Sequence, residues 1–133
     1  MTRTGCRERT TEETTIAVEI DLDGETIDGV SASTGIPFFD HMLDQLGRHG
    51  GFGLRVSCDG DLAIDAHHTV EDVGIAVGEA FADALGDKAG VRRFASIRVP
   101  LDEALVDVAL DLSGRPYLHH DVEFPGEKIL GDP

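Results

Sequence analysis

Cysteine and lysine are scarce in this chain: its 133 residues include two cysteines, Cys6 and Cys58, and two lysines, Lys88 and Lys128. One cysteine stands in a polar N-terminal stretch and the other in an alternating apolar one, which reads as two free thiols of a reducing compartment rather than a disulfide framework. The shortage of cations leaves 11 basic against 26 acidic side chains and a formal charge of −15. That field repels nucleic acid and anionic membranes, and neither is expected as a partner. Long apolar runs are missing too. No stretch approaches the ~18 residues of a membrane span, and residues 1–15 carry no apolar signal core. A soluble, cytoplasmic protein is expected. No serine or cysteine stands in a nucleophile-elbow pattern, and the glycines at 47, 50, 51 and 53 do not follow phosphate-loop spacing.

What is present suits a folded chain. Apolar residues make up 41%, and a chain of this length can bury roughly two thirds of its unfolded surface without staples, as one domain or two small halves. Asp outnumbers Glu 16 to 10. An acidic, lysine-poor composition predicts adaptation to high salt, where screening is strong.

Ile16, Val18, Ile20 and Leu22 alternate with Ala17, Glu19 and Asp21, predicting a strand with one buried face that ends in a turn at Asp23-Gly24. A weaker strand is expected over Ile27 to Thr34. Pro37 then opens a helix, with Phe39, Met42, Leu43 and Leu46 at helical spacing and Gly50-Gly51 as its stop. Phe52, Leu54, Val56 and Cys58 alternate again, and Asp59-Gly60-Asp61 is expected to turn a hairpin into a strand over Leu62 to Ala66. A second helix carries the stripe Val73, Val77, Ala80, Phe81, Ala84 and Leu85 and ends near Gly86. The order strand, strand, helix, strand, strand, helix implies an α+β fold with both helices on one face of a mostly antiparallel sheet.

Beyond Gly90 the pattern starts over. Residues 106–115 lie over residues 16–25 at a shift of 90 positions, matching Val18, Ile20, Asp21, Leu22 and Gly24 in type, and Glu103 falls on Glu13. Such self-similarity predicts a duplicated unit: a first repeat over 1–90 and the start of a second over 91–133. A complete second unit would place its first helix near position 128 and its histidine pair near 157, so the second repeat is expected to be truncated.

The densest chemical stretch is Asp65-Ala-His67-His68-Thr-Val-Glu71-Asp72. His67 and Glu71 are four apart and His68 and Glu71 three apart, so imidazole and carboxylate heads can converge on one helix face and suit a borderline divalent ion. A helix N-terminus also disfavours imidazolium and so favours the neutral imidazole that a metal needs. Paired histidines capping an exposed helix end are the alternative. The first helix adds a polar stripe of His41, Gln45, Arg48 and His49, placing four of the six histidines on two neighbouring helices. His119-His120 reads as solvated loop, and Cys58 as core. For Arg93 and Arg115 a structural salt bridge competes with the binding of an anionic substrate.

Together these segments closely resemble the imidazoleglycerol-phosphate dehydratase family of histidine biosynthesis. The resemblance runs through Arg9-Thr-Thr-Glu-Glu13-Thr14, Thr34-Gly-Ile-Pro-Phe-Phe-Asp-His-Met-Leu-Asp-Gln45 with His49, Asp65-Ala-His-His-Thr-Val-Glu-Asp-Val-Gly-Ile75, Val99-Pro-Leu-Asp-Glu-Ala104 and Asp111-Leu-Ser-Gly-Arg-Pro116. It implies a duplicated fold like ribosomal protein S5 domain 2, two Mn2+ ions per complete active site, and sites built between subunits of a homo-oligomer, a 24-mer in the family. Carried over by motif, His41, His67, His68 and Glu71 are the implied metal ligands. Glu13, His41 and Glu71 are the implied catalytic groups, and Glu13, His41, Gln45, His49, His67, His68, Glu71, Arg93 and Arg115 the implied substrate contacts. The substrate is a small phosphorylated imidazole, imidazole glycerol phosphate, which loses water to give imidazole acetol phosphate. The carbon that loses its proton has no neighbouring carbonyl, so metal ions on the ring nitrogens would supply the missing stabilisation.

In one respect the chain departs from the family pattern: no second HHxxE motif and no following phosphate-contacting lysine occur after Glu127-Lys-Ile-Leu-Gly131. The chain is therefore expected to supply about half of each metal shell, the rest coming from a missing segment or another chain. A non-catalytic metal-binding or assembly module is the second reading. A generic metal-dependent hydrolase is weakened by the lack of any hydrolase motif.

Overall fold

A computed structural model describes residues 2–123 of the chain. The elements are β1 (Thr4–Thr10), β2 (Thr14–Asp21), β3 (Val30–Ser33), α1 (Pro37–Gly50), β4 (Gly53–Gly60), α2 (His67–Leu85), β5 (Phe94–Leu101) and β6 (Ala104–Asp111). The first four strands form one sheet in the order β1-β2-β4-β3, and β5 and β6 form a separate hairpin. Both β1 and β4 are antiparallel to β2, while β3 runs parallel to β4. The fold is thus α+β with a mixed sheet.

The period-two pattern of β2 and β4 sends Ile16, Val18, Ile20, Leu54 and Val56 to one face. There they meet Leu43 of α1 and Val73, Ala76, Ala80 and Ala84 of α2 in a single core cluster. Both helices therefore cover the same face, as the alternation and helical stripes predict. On the opposite face Glu19 pairs with Arg55 at 3.2 Å in solvent. Alanines on α2 bring the helix close to the sheet: a Cβ on Gly5 of β1 would stand 2.0 Å from the Ala80 carbonyl oxygen. At the other helix, Gly51 ends α1 in the left-handed region (φ 71°) with its N–H on the Gly47 carbonyl, a conformation that costs glycine nothing.

The alternation pattern misses one strand, and one expected strand is absent. The polar N-terminal stretch contains β1, whose core-side positions are Gly5, Arg7 and Arg9 rather than apolar residues. Arg7 pairs with Glu79 and Asp83, and Arg9 with Asp72, all on α2. The strand is thus held by close packing and ion pairs that a hydrophobic alternation does not register. Conversely, Leu62 to Ala66 is not a strand. The Asp61 N–H is taken by the Glu13 carbonyl and Ile64 N–H closes a turn onto the Asp61 carbonyl at 2.8 Å. With Leu62 and Ile64 its only large apolar side chains, and both exposed, the segment becomes a connector leading into α2.

Asp21 is fully buried and its carboxylate organises the turn after β2. It accepts the N–H groups of Asp23, Gly24, Thr26 and Ile27 and the Thr26 hydroxyl. Those donors, led by Thr26, hold it well below the usual carboxylate range.

The β5–β6 hairpin repeats the β1–β2 hairpin at a shift of 90. Thr4 faces Asp21 in the first and Phe94 faces Asp111 in the second, and the strand pairings step together from there. In the first hairpin Ile16, Val18 and Ile20 lie under helices. Their counterparts Val106, Val108 and Leu110 are about half exposed, beside Ile97 and Val99. Residues 124–133, the end of the expected second repeat with Pro125 and Glu127 to Gly131, lie outside the described residues. No helix among those described is long and apolar enough to cross a membrane.

Candidate metal and substrate site

The first turn of α2 concentrates the chemistry. Asp65 accepts the His67 N–H at 2.6 Å, so a side chain one residue before the cap position satisfies a donor that the helix leaves free. Four residues on, Glu71 places Oε2 2.9 Å from His67 Nε2, with both side chains exposed. The adjacent ring turns elsewhere. His68 Nδ1 lies 2.9 Å from Asp61 Oδ2, and the two imidazole centroids are 5.7 Å apart at 66°. The hydrogen bond to Asp61, with charge contributions from Asp61, Glu13 and Asp72, raises the His68 pKa.

Glu13 enters this neighbourhood through the β1–β2 turn. Thr11 Oγ1 accepts the N–H groups of Glu13 and Thr14, and Thr14 donates its hydroxyl to Asp72 at 2.6 Å. Asp72 in turn pairs with Arg9. The Thr14 bond, followed by Arg9, lowers the Asp72 pKa and ties the turn to α2. Asp72 and Asp61 are the supporting residues that sequence reasoning missed. The first lay inside the quoted HHxxED stretch, and the second was assigned only to a turn.

On α1 the polar stripe forms a chain of contacts. Arg48 binds Asp44 at 2.8 Å, Gln45 Nε2 binds Asp44 at 3.1 Å, and His49 Nε2 meets Gln45 Oε1 at 2.9 Å. His41 is exposed on the same helix. The structure does not gather His41 with His67, His68 and Glu71: among the described residues no group of three or more His, Cys, Asp or Glu side chains is placed to hold a metal. His67 with Glu71 is instead a two-donor pair of the nitrogen and oxygen chemistry that suits Mn2+. His68 offers one further nitrogen. The donor set fits the ion as part of a shell.

Arg93 and Arg115 lie elsewhere. Arg93 forks onto Asp111 at 2.7 and 3.1 Å and stacks over the Phe94 ring at 4.8 Å, and Arg115 is near enough to help lower the Asp111 pKa after Arg93 itself. Arg93 also lines an open cleft of about 180 Å3 with Lys88, Val91, Leu112 and Ser113. This cleft adjoins the C-terminal end of α2, where the Lys88 N–H bonds the Leu85 carbonyl. The histidines occupy the other end, and a 19-residue helix is about 28 Å long. Cys58 is a half-buried thiol packed against the core, whose pKa burial pushes up, and Cys6 is exposed. His119 and His120 lie exposed outside regular structure.

The fold and the helix-borne donor pair define a class: an α+β protein whose second helix opens with a histidine and carboxylate set. Comparison with known proteins specifies it further. The imidazoleglycerol-phosphate dehydratase family model matches residues 34–132, and the chain belongs to that family. It is 62% identical over 120 residues to the imidazoleglycerol-phosphate dehydratase of Parafrankia sp. (strain EAN1pec), covering 90% of this chain and 60% of that protein. With the enzyme of Haloarcula marismortui it shares 57% over 132 residues, covering 97% and 65%. The crystal structure of the Staphylococcus aureus enzyme superposes with a TM-score of 0.82 at 30% identity, covering 97% of this chain and 69% of that one. The Pyrococcus furiosus enzyme in complex with (S)-C348 gives 0.69 at 36%, covering 88% and 60%. The chain spans about 60% of the length of the relatives it matches.

Proposed function

We propose that the chain works as part of a Mn2+-dependent imidazoleglycerol-phosphate dehydratase, with α2 supplying metal donors. The observation that carries this reading is the His67–Glu71 pair at 2.9 Å in a member of this family. His67, His68, Glu71 and, from α1, His41 would hold two ions, each completed by donors from elsewhere in the assembly. Bound there, Mn2+ would supply Lewis-acid stabilisation to the imidazole ring of the substrate as water leaves.

The chain's own residues account for the rest. Glu13 is held beside His68 by the Thr11 turn and serves as the acid or base at the reacting carbons. Gln45 and His49 present a joined polar edge to the substrate. Arg93 and Arg115 bind the phosphate, for which a planar guanidinium is well matched, and Asp111 keeps Arg93 extended until the phosphate arrives. The phosphate arginines and the histidines stand at opposite ends of α2, so one copy cannot present both to a small substrate. That separation supports a homo-oligomer whose active sites are shared between copies. The matching registers of the two hairpins support a duplication with units 1–90 and 91–133, of the kind found in ribosomal protein S5 domain 2.

The test is conversion of imidazole glycerol phosphate to imidazole acetol phosphate by the purified protein with Mn2+. Turnover that disappears in Glu13→Gln supports the reading. Mn2+ binding without turnover would mark a metal-binding module instead.

A further inference from the structure

The His68–Asp61 contact carries a further inference, which rests on the metal reading above. A carboxylate at neutral pH can only accept, so the 2.9 Å contact from His68 Nδ1 to Asp61 Oδ2 requires the proton on Nδ1. In a neutral imidazole the lone pair then lies on Nε2. Asp61 is well placed to impose this. Its side chain is mostly buried, at 18% exposure, and its main chain is held on both sides: its N–H bonds the Glu13 carbonyl at 3.0 Å, and its carbonyl accepts the Ile64 N–H at 2.8 Å. The carboxylate therefore sits at a fixed point between the β1–β2 turn and α2. His67 has no equivalent, since its Nε2 already faces Glu71 and Asp65 bonds its main-chain N–H rather than its ring.

We propose that Asp61 is a positioning residue that fixes His68 as the Nδ1–H tautomer, leaving Nε2 as a preset donor for a divalent cation. The chemistry is general: a carboxylate behind a ligating imidazole sets its tautomer and orientation and strengthens it as a donor. The two histidines then differ in kind. His68 is preset, whereas His67 must part from Glu71 before both can bond one ion.

Long-range proton–nitrogen correlation spectra of the histidine-labelled protein, without metal and at a pH about two units above the ordinary imidazole value, read the tautomer directly. Wild type is expected to show Nδ1–H at His68. Asp61→Ala should move it toward Nε2–H, and Asp61→Asn should retain Nδ1–H through the amide oxygen. Titration with Mn2+ followed by electron paramagnetic resonance should show affinity falling about 10- to 100-fold in Asp61→Ala, with substantial recovery in Asp61→Asn. An Nε2–H tautomer in wild type, or one unchanged in Asp61→Ala, overturns the proposal. A changed tautomer with unchanged Mn2+ affinity overturns its metal part. If instead neither His67→Ala nor His68→Ala weakens Mn2+ binding, the metal reading itself fails, which is a different result.

Discussion

Replacing Gly5 by alanine probes the contact that seats α2, and with it the site, on the sheet. The new methyl would stand 2.0 Å from the Ala80 carbonyl oxygen and 2.9 Å from both the Ala80 carbonyl carbon and the Ala84 nitrogen. Carbon atoms settle at about 3.5 Å from such neighbours, so α2 would have to lift from β1 by roughly 1 Å or more. All three neighbours are main-chain atoms, so no rotamer change relieves the overlap. Overpacking typically costs about 1–3 kcal/mol. The value here should reach ~3 kcal/mol or beyond, because lifting the helix also stretches the Arg7 and Arg9 pairs with Glu79, Asp83 and Asp72. For a domain of this size that lowers Tm by more than about 10 °C. Thermal unfolding followed by circular dichroism reads the shift. Gly78→Ala, on the exposed side of the same helix with nothing within 4 Å of its Cβ, should stabilise by about 0.5–1 kcal/mol through helix propensity. A Gly5→Ala protein that melts with wild type would refute the close seating of α2.

Two further expectations concern charge. The Asp21 carboxylate lies below its ordinary pKa, so its contribution is fully present above that ordinary value and is lost as pH falls toward the folded one. Urea unfolding between neutral and acid pH should therefore show Asp21→Asn less stable near neutrality and with a shallower acid-side slope; parallel profiles would contradict the turn's dependence on the ionised group. The net charge of −15 predicts that molar potassium chloride raises the unfolding midpoint by screening self-repulsion. A midpoint indifferent to salt would remove the case for high-salt adaptation.

How much of this was legible in the sequence depends on what held each element. The inward residues of β2 and β4 and the stripes of both helices are apolar at clean periods, so the core was readable. Strand β1 was not, because glycine and arginine occupy its inner positions and their partners are 63 to 79 residues away on α2. The strand expected over Leu62 to Ala66 failed for the opposite reason: its short alternation was real, but the tertiary bond from Asp61 to Glu13 and the local turn that Ile64 closes onto Asp61 claimed the backbone. The parallel pairing of β3 with β4 follows from α1 crossing between them, which a hairpin-based reading does not anticipate. At the site, HHxxE spacing revealed the His67–Glu71 pair. Asp61 escaped notice because a turn-forming aspartate looks the same whether or not a histidine seven residues later leans on it.

The central claim is that the opening turn of α2 is a metal-donor surface, and Mn2+ titration of wild type, His67→Ala and Glu71→Gln by electron paramagnetic resonance tests it most directly. Saturable binding to wild type that weakens at least about ten-fold in each variant is the predicted result, since each loses one of two adjacent donors. Equal Mn2+ affinity in all three proteins would contradict it.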